Sequence, residues 1–350
     1  MLDSTDTNVN DFISALEAKS FHKLIIGAAL KDFELIENFS YIFTHAQANA
    51  LDISAFPNSV IYAKKGIEKA RYENPSLSEP LLMISVNIGE DPHFRRIILN
   101  TENCTECLAC IPSCPADAFY QSETKNFNYD IDLCYGCGNC LPDCHFAALD
   151  YEHWNSQSPS SLMSLIELGA NAIEIHLNND LKTFQEFYKQ VPKQFLLESF
   201  CIGSEKMDQN DLENATSIII NAVINKHGYL KPFIIQTDGI PLAGARWDKS
   251  ANKDLISIKN AEIVINKINK DFSEFKNKIF VQLAGGITEH SLEKAFKESV
   301  QVNGVAIGSY ARKIIHDSYY KENAFDTQAA IIFARDLINT SKTLGEIIKI

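Results

Sequence analysis

Two cysteine runs constrain this chain more than any other feature. Residues 104–115 read C-T-E-C-L-A-C-I-P-S-C-P, and residues 134–145 read C-Y-G-C-G-N-C-L-P-D-C-H. Eight of the nine cysteines lie in them, and both runs are spaced C-x2-C-x2-C-x3-C. Three thiolates at that spacing can wrap one iron–sulfur cluster, and the fourth crosses to a second one, as in bacterial two-cluster ferredoxins. Thiolates suit cluster iron because they are soft and negatively charged. The spacing therefore predicts one [4Fe-4S] cluster on Cys104, Cys107, Cys110 and Cys144, and another on Cys134, Cys137, Cys140 and Cys114. Disulfides would need an oxidising compartment, and the polar start Met1 to Asn10 resembles no secretory signal. Zinc sites usually pair two C-x-x-C units across a wider gap. One asymmetry stands out: Pro115 follows the first run, but His145 follows the second. A less rigid turn after Cys144 would alter the surroundings that tune that cluster's potential.

The rest of the composition is that of a soluble globular protein. The chain has 350 residues, 45% hydrophobic and 22% charged. No segment approaches the ~20 apolar residues of a membrane span. The expectation is a soluble protein in a reducing compartment, the cytoplasm. A net charge of -13 argues against a nucleic-acid-binding surface and suits docking to a basic partner. The ninth cysteine, Cys201, sits in an apolar phrase and reads as a buried structural residue.

Outside the cysteine segment, strand and helix patterns alternate. Strands are expected near residues 23, 50, 82, 172, 195, 233, 279 and 304, each followed by a helix except the third, after which the cysteine segment interrupts. Such alternation argues for parallel strands covered by helices. Eight β/α units predict an α/β fold, a TIM-like (β/α)8 barrel with an inserted two-cluster ferredoxin-like domain. An open doubly wound sheet is the alternative. The expected division is residues 1–91 for the first three barrel strands, 92–151 for the insert and 152–350 for the remainder.

Barrel function lies at the C-terminal strand ends. Those ends carry Asp52, Asn87, Glu90, Asp91, His93, Glu174, His176, Glu198, Gln236, Asp238 and Gln282. Two glycine loops follow the last two strands, Gly285-Gly286 and Gly308-Ser309, with Arg312 just beyond. Loops in those places often hold phosphate on backbone N–H groups. They are candidates for a flavin or another phosphate-bearing ligand, with Arg312 adding positive charge. The competing expectation is that the glycines fit tight turns and Arg312 pairs with an acid such as Asp238.

Three phrases carry a family resemblance: K-L-I-I-G-A-A from residue 23, V-N-I-G-E-D-P-H-F-R-R at 86–96, and L-C-Y-G-C-G-N-C-L-P-D-C at 133–144. Together they resemble the light-dependent period family of cyanobacteria. The resemblance implies an iron–sulfur protein that senses redox state, relays it to the circadian clock and associates with protein partners of the clock input pathway. It implies no catalytic residues. The residues alone leave two alternatives open. One is an oxidoreductase feeding electrons to a flavin or substrate in the barrel; the other is a ferredoxin-like carrier serving a redox partner.

Overall fold

The structure, a computed structural model, describes residues 4–28, 30–89, 91–114, 118–122, 124–131, 134, 136, 138–153, 158–177, 180–203, 207–239, 253–308, 310–312 and 327–347. The strands in chain order are β1 (Phe21–Gly27), β2 (Ala50–Ser54), β3 (Leu81–Ile88), β4 (Arg95–Leu99), β5 (Phe119–Gln121) and β6 (Phe127–Tyr129). They continue with β7 (Leu149–His153), β8 (Ala172–Leu177), β9 (Leu197–Ile202), β10 (Phe233–Thr237), β11 (Ile279–Leu283) and β12 (Gly304–Ile307). The helices are α1 (Ser4–Glu17), α2 (Phe33–His45), α3 (Pro57–Glu73), α4 (Cys110–Ser113) and α5 (Pro159–Leu168). After them come α6 (Leu181–Gln190), α7 (Gln209–His227), α8 (Asp254–Asp271), α9 (Ser291–Lys297) and α10 (Thr327–Ile347).

Eight strands close into a parallel barrel in the order β1-β2-β3-β8-β9-β10-β11-β12 and back to β1. These are the eight strands the alternation predicts. Their outward faces are mainly apolar, so helices must cover them. Phe200 on β9, for example, packs edge-on against Phe184 and Tyr188 of α6 and against Phe233 of β10. Local signals set the helix ends. The Asp32 side chain accepts from Leu35 N, and Asp180 accepts from Thr183 N. Asp208 and Asp211 form a capping box on α7, and Gly228 ends it in the left-handed conformation.

The lower end of the barrel is closed by α1. Its Phe12 and Leu16 join Phe21, Ala50, Leu81, Met83, Ala172, Leu197, Ile234 and Phe280 in one apolar layer. Above that layer the interior turns polar.

Between β3 and β8 the chain leaves the barrel through the short turn Pro92–Phe94. It then forms an antiparallel ribbon, β4 against β7, with Arg95 opposite His153 and Leu99 opposite Leu149. Between β4 and β7 the chain carries the cysteine loops and a second small hairpin, β5 with β6. The insert has its own core: Ile97, Ala118, Phe119 and Leu149 around Cys110, Cys114 and Cys140. Phe119 stacks on Tyr129 at 4.3 Å between ring centroids.

Candidate functional site

One cavity in the insert is lined by Cys104, Cys107, Cys110 and Cys144, together with Leu99, Phe127, Phe146 and Leu149. Burial pushes the Cys110 thiol up to about 11, and the charges of Cys104, Cys107 and Cys144 push the same way. Four sulfurs gathered round one cavity make a soft donor set that fits a cluster. In the second run, Cys134 and Cys140 both lie beside Tyr129. Burial, with those two sulfurs, holds that phenol well above its usual range. Cys137 lies outside the described residues. Cys114 is buried in the insert core near Cys140.

Backbone N–H groups converge on the sulfurs. Ile97 N and Gly136 N each donate to Cys134 Sγ at 3.4 Å. Ala118 N donates to Cys114 Sγ, and Ala148 N to Cys144 Sγ, both at 3.3 Å. Such bonds stabilise thiolate and raise cluster potential. The Cys144 turn thus makes the same N–H···S bond as the Cys114 turn, although His145 replaces proline there.

Each loop turns through two left-handed residues at matching places. In the first run these are Glu106 (φ 52°) and Leu108 (φ 65°); in the second they are Gly136 (φ 73°) and Gly138 (φ 78°). The second loop packs under the ribbon. Arg95 Nε donates to Gly136 O at 3.0 Å, and Arg96 Nη1 donates to Ile131 O at 2.8 Å. The Arg95 guanidinium also lies 4.0 Å from the Tyr151 ring centroid. The first loop faces outward, with Cys107 exposed.

The barrel interior above the apolar layer holds a buried charged constellation. Lys23 of β1 ion-pairs with Glu174 of β8, both almost fully buried. Ser199 Oγ and Gln236 Nε2 also donate to Glu174, each at 2.9 Å. Burial would raise the Glu174 carboxyl, but Lys23 and His176 hold it well below the usual range. Asp52 accepts from Ser85 Oγ at 2.6 Å, yet burial lifts its carboxyl to about 6. At the mouth, Asp91 accepts from His93 Nδ1 at 2.8 Å and lies 3.1 Å from His176 Nδ1. Burial disfavours charge on His176; Cys201, Asp91 and Glu174 favour it and hold the imidazole well above its usual range. Burial also lifts the Cys201 thiol to about 11, so the two carboxylates are the charges that count at neutral pH.

Most of the strand-end candidates gather here: Asp52, Asn87, Asp91, His93, Glu174, His176, Gln236, Asp238 and Gln282 are buried or half-buried at the mouth or just beneath it. Two do not. Glu198 points outward from β9 and meets Tyr188, Lys226 and His227. Glu90 lies outside the described residues, as does Ser309. Cys201 is buried as expected, but it lines the polar interior, where Gln236 Nε2 donates to its sulfur at 3.4 Å. Gly285 (φ 69°) packs on the turn after β10; a Cβ there would sit 2.3 Å from Asp238 Oδ1 and 2.4 Å from Gly239 N. Gly286 (φ 76°) follows Gly285 in the loop after β11. Gly308 O accepts from Arg312 N at 3.1 Å. The half-buried Arg312 guanidinium donates to Ile25 O at 2.7 Å, and desolvation lowers it to about 10 while the charge of Asp52 works the other way.

Residues 164–346 match the family described as the Light dependent period A C-terminal domain, and residues 103–149 match the 4Fe-4S dicluster domain. The Light dependent period A protein of Synechococcus elongatus is 31% identical over 317 residues, covering 86% of this chain and 82% of that protein. The chain belongs to the light dependent period A family. Its cysteine segment is also 40% identical over 57 residues to the pyruvate synthase subunit PorD of Thermotoga maritima, covering 16% of this chain and 56% of that one. This is an iron–sulfur segment inserted between two strands of the barrel. Among solved structures, tryptophan synthase subunit alpha from Legionella pneumophila aligns over 97% of this chain and 98% of its own, at 9% identity and a TM-score of 0.44. Among the described residues, no helix is long and apolar enough to cross a membrane.

Some residues of the site escaped the sequence. Lys23 was the legible one: a lysine in the middle of the apolar strand F-H-K-L-I-I-G must either snorkel or find a buried partner. Arg95, Arg96 and Tyr151 gave no local signal, because their roles depend on a ribbon that pairs distant segments.

Proposed function

We propose that the chain holds two [4Fe-4S] clusters with exchanged fourth ligands and works as a redox sensor without turnover, passing light-dependent redox state to clock partners. The observation that carries this is Cys144 lining the same cavity as Cys104, Cys107 and Cys110, across about thirty residues of chain. The name of the Synechococcus relative supports the light-dependent context. When bound, the clusters supply one-electron chemistry at potentials set by hydrogen bonds and exposure. The residues around them have separate tasks. Exposed Cys107 and Phe146 give an electron carrier a short approach to the outer loop. On the inner side, Arg96 lies between the second loop and the barrel. Its guanidinium donates to Ile131 O and is felt electrostatically by both Tyr129 and Arg312. A charge change at the Cys134 loop therefore reaches the mouth through Arg96.

Two measurements test this reading. Protein reconstituted without oxygen should hold about eight iron, and Cys144→Ser should lose about four of them while the second cluster survives. Uniform loss, or no loss, would contradict the exchanged ligand. Hydrogen exchange compared between oxidised and reduced protein should change in the turn Pro92–Phe94 and the ribbon. Identical protection in both states would rule out the sensor and leave a plain electron carrier.

A further inference from the structure

We propose that Asp91, His93 and His176 bind a divalent first-row transition-metal ion at the barrel mouth, a site separate from the cysteine loops. Asp91 and His93 come from the turn that joins β3 to the ribbon, and His176 comes from the end of β8. One donor atom from each lies within 4.8 Å of the other two. The contacts are 2.8 Å from His93 Nδ1 to Asp91 Oδ1 and 3.1 Å from His176 Nδ1 to Asp91 Oδ2. Two ligands bonded to one ion at ~2.1 Å sit roughly 3 Å apart, so the donors are already spaced for an ion between them. Two imidazoles and one carboxylate form a donor set that suits iron, manganese or zinc and leaves open positions.

The far side of each ring strengthens the case. A metal-bound histidine usually directs its other nitrogen to a carboxylate, which fixes tautomer and orientation. His176 Nε2 lies 3.2 Å from Glu174 Oε1, and His93 Nε2 lies 3.8 Å from Asp238 Oδ2. Phe94 meets the His176 ring edge-on at 5.0 Å and holds its plane. Asn87 pairs in register with His176, and its Oδ1 is buried with no hydrogen-bond partner among the described residues. That oxygen is a further donor beside the site.

Glu174, His176 and Cys201 form a second group with donor atoms equally close. It is the poorer site. Glu174 is already paired with the Lys23 ammonium, which would repel a dication. Glu174 therefore serves as the acceptor behind His176. Access exists as well, since the His93 side chain is 35% exposed while those of Asp91 and His176 are each 9% exposed.

The site does not depend on the iron–sulfur reading, and its test keeps the two apart. Full-length protein with its clusters intact is titrated anaerobically with Mn²⁺, and free Mn²⁺ is followed by its electron paramagnetic resonance signal. Wild type should bind about one Mn²⁺ per chain. His93→Ala should weaken binding by more than ~10-fold, His93→Asp should stay within a few-fold of wild type, and Asp238→Asn should cost about 10-fold. The brown cluster absorbance should be the same in all four proteins, which confirms that each is folded and loaded. No saturable binding in wild type overturns the proposal, and so does binding by both His93→Ala and Asp238→Asn that matches wild type.

Discussion

The two cysteine loops trace the same path with different residues. Both pass through two left-handed positions. The outer loop fills them with Glu106 and Leu108, the inner one with Gly136 and Gly138. The difference follows from what lies alongside. A Cβ at Gly136 would sit 2.2 Å from Arg95 O, and one at Gly138 would sit 1.8 Å from Tyr151 Oη. Glu106 projects into solvent and accepts the unfavourable backbone at a cost of roughly 1 kcal/mol. Cluster geometry therefore dictates the backbone, and contact with the ribbon dictates the glycines. The inner loop is held against the ribbon, and the outer loop stays open to solvent.

The comparison breaks most visibly at Gly136. Gly136→Ala should destabilise the insert by about 3 kcal/mol or more, since Arg95 O is backbone and cannot swing away. Iron should be lost from the inner site first. Retention of full iron and an unchanged denaturation midpoint would show that the clamp is loose. A smaller effect is expected where the same contrast appears as charge. Asp52 and Asp91 are both buried carboxylates at the mouth. Asp91 has two histidines beside it and is held well below the usual range, whereas burial leaves Asp52 at about 6. A carboxyl raised in the folded state stabilises fully below its unfolded value near 4, and that contribution is lost as pH rises through about 6. Asp52→Asn should remove the loss. Relative to wild type, its unfolding free energy should gain on the order of 1–2 kcal/mol between about pH 5 and pH 8. A pH-independent difference in urea titrations would place Asp52 in an ordinary ionised state. The smallest effect belongs to the outer loop. Glu106→Gly should stabilise by about 0.5 kcal/mol, since glycine accepts the left-handed backbone freely. A thermal midpoint that falls instead would mean that Glu106 makes a contact beyond its backbone.

The barrel was legible because each of its strands is a short apolar run followed by a helix with visible caps, such as Asp180 before α6 and Gly228 after α7. The iron–sulfur segment was legible because its cysteine spacing is local. The ribbon was not. R-R-I-I-L at 95–99 pairs with residues 149–153, some fifty residues on, and that separation leaves no trace in either segment. The mouth was half legible. Strand ends named the polar candidates, but only the register showed that Glu198 points outward while Ser199 and Cys201 point in. Arg312 was expected to face an anion; its guanidinium instead donates to Ile25 O, a contact that depends on β1 standing beside β12 in the closed barrel.

The α1 stopper has a consequence for time rather than for structure. Phe12 and Leu16 close the lower end of the barrel with an oily layer, so water, protons and ions reach Lys23, Asp52 and Glu174 from the upper rim. A vessel with a single neck fills and empties at a rate set by that neck. Here the rim bears the turn Pro92–Phe94, through which the chain leaves for the insert. The residues of that rim therefore govern how fast the interior comes to equilibrium with its surroundings, while the residues inside govern where that equilibrium lies.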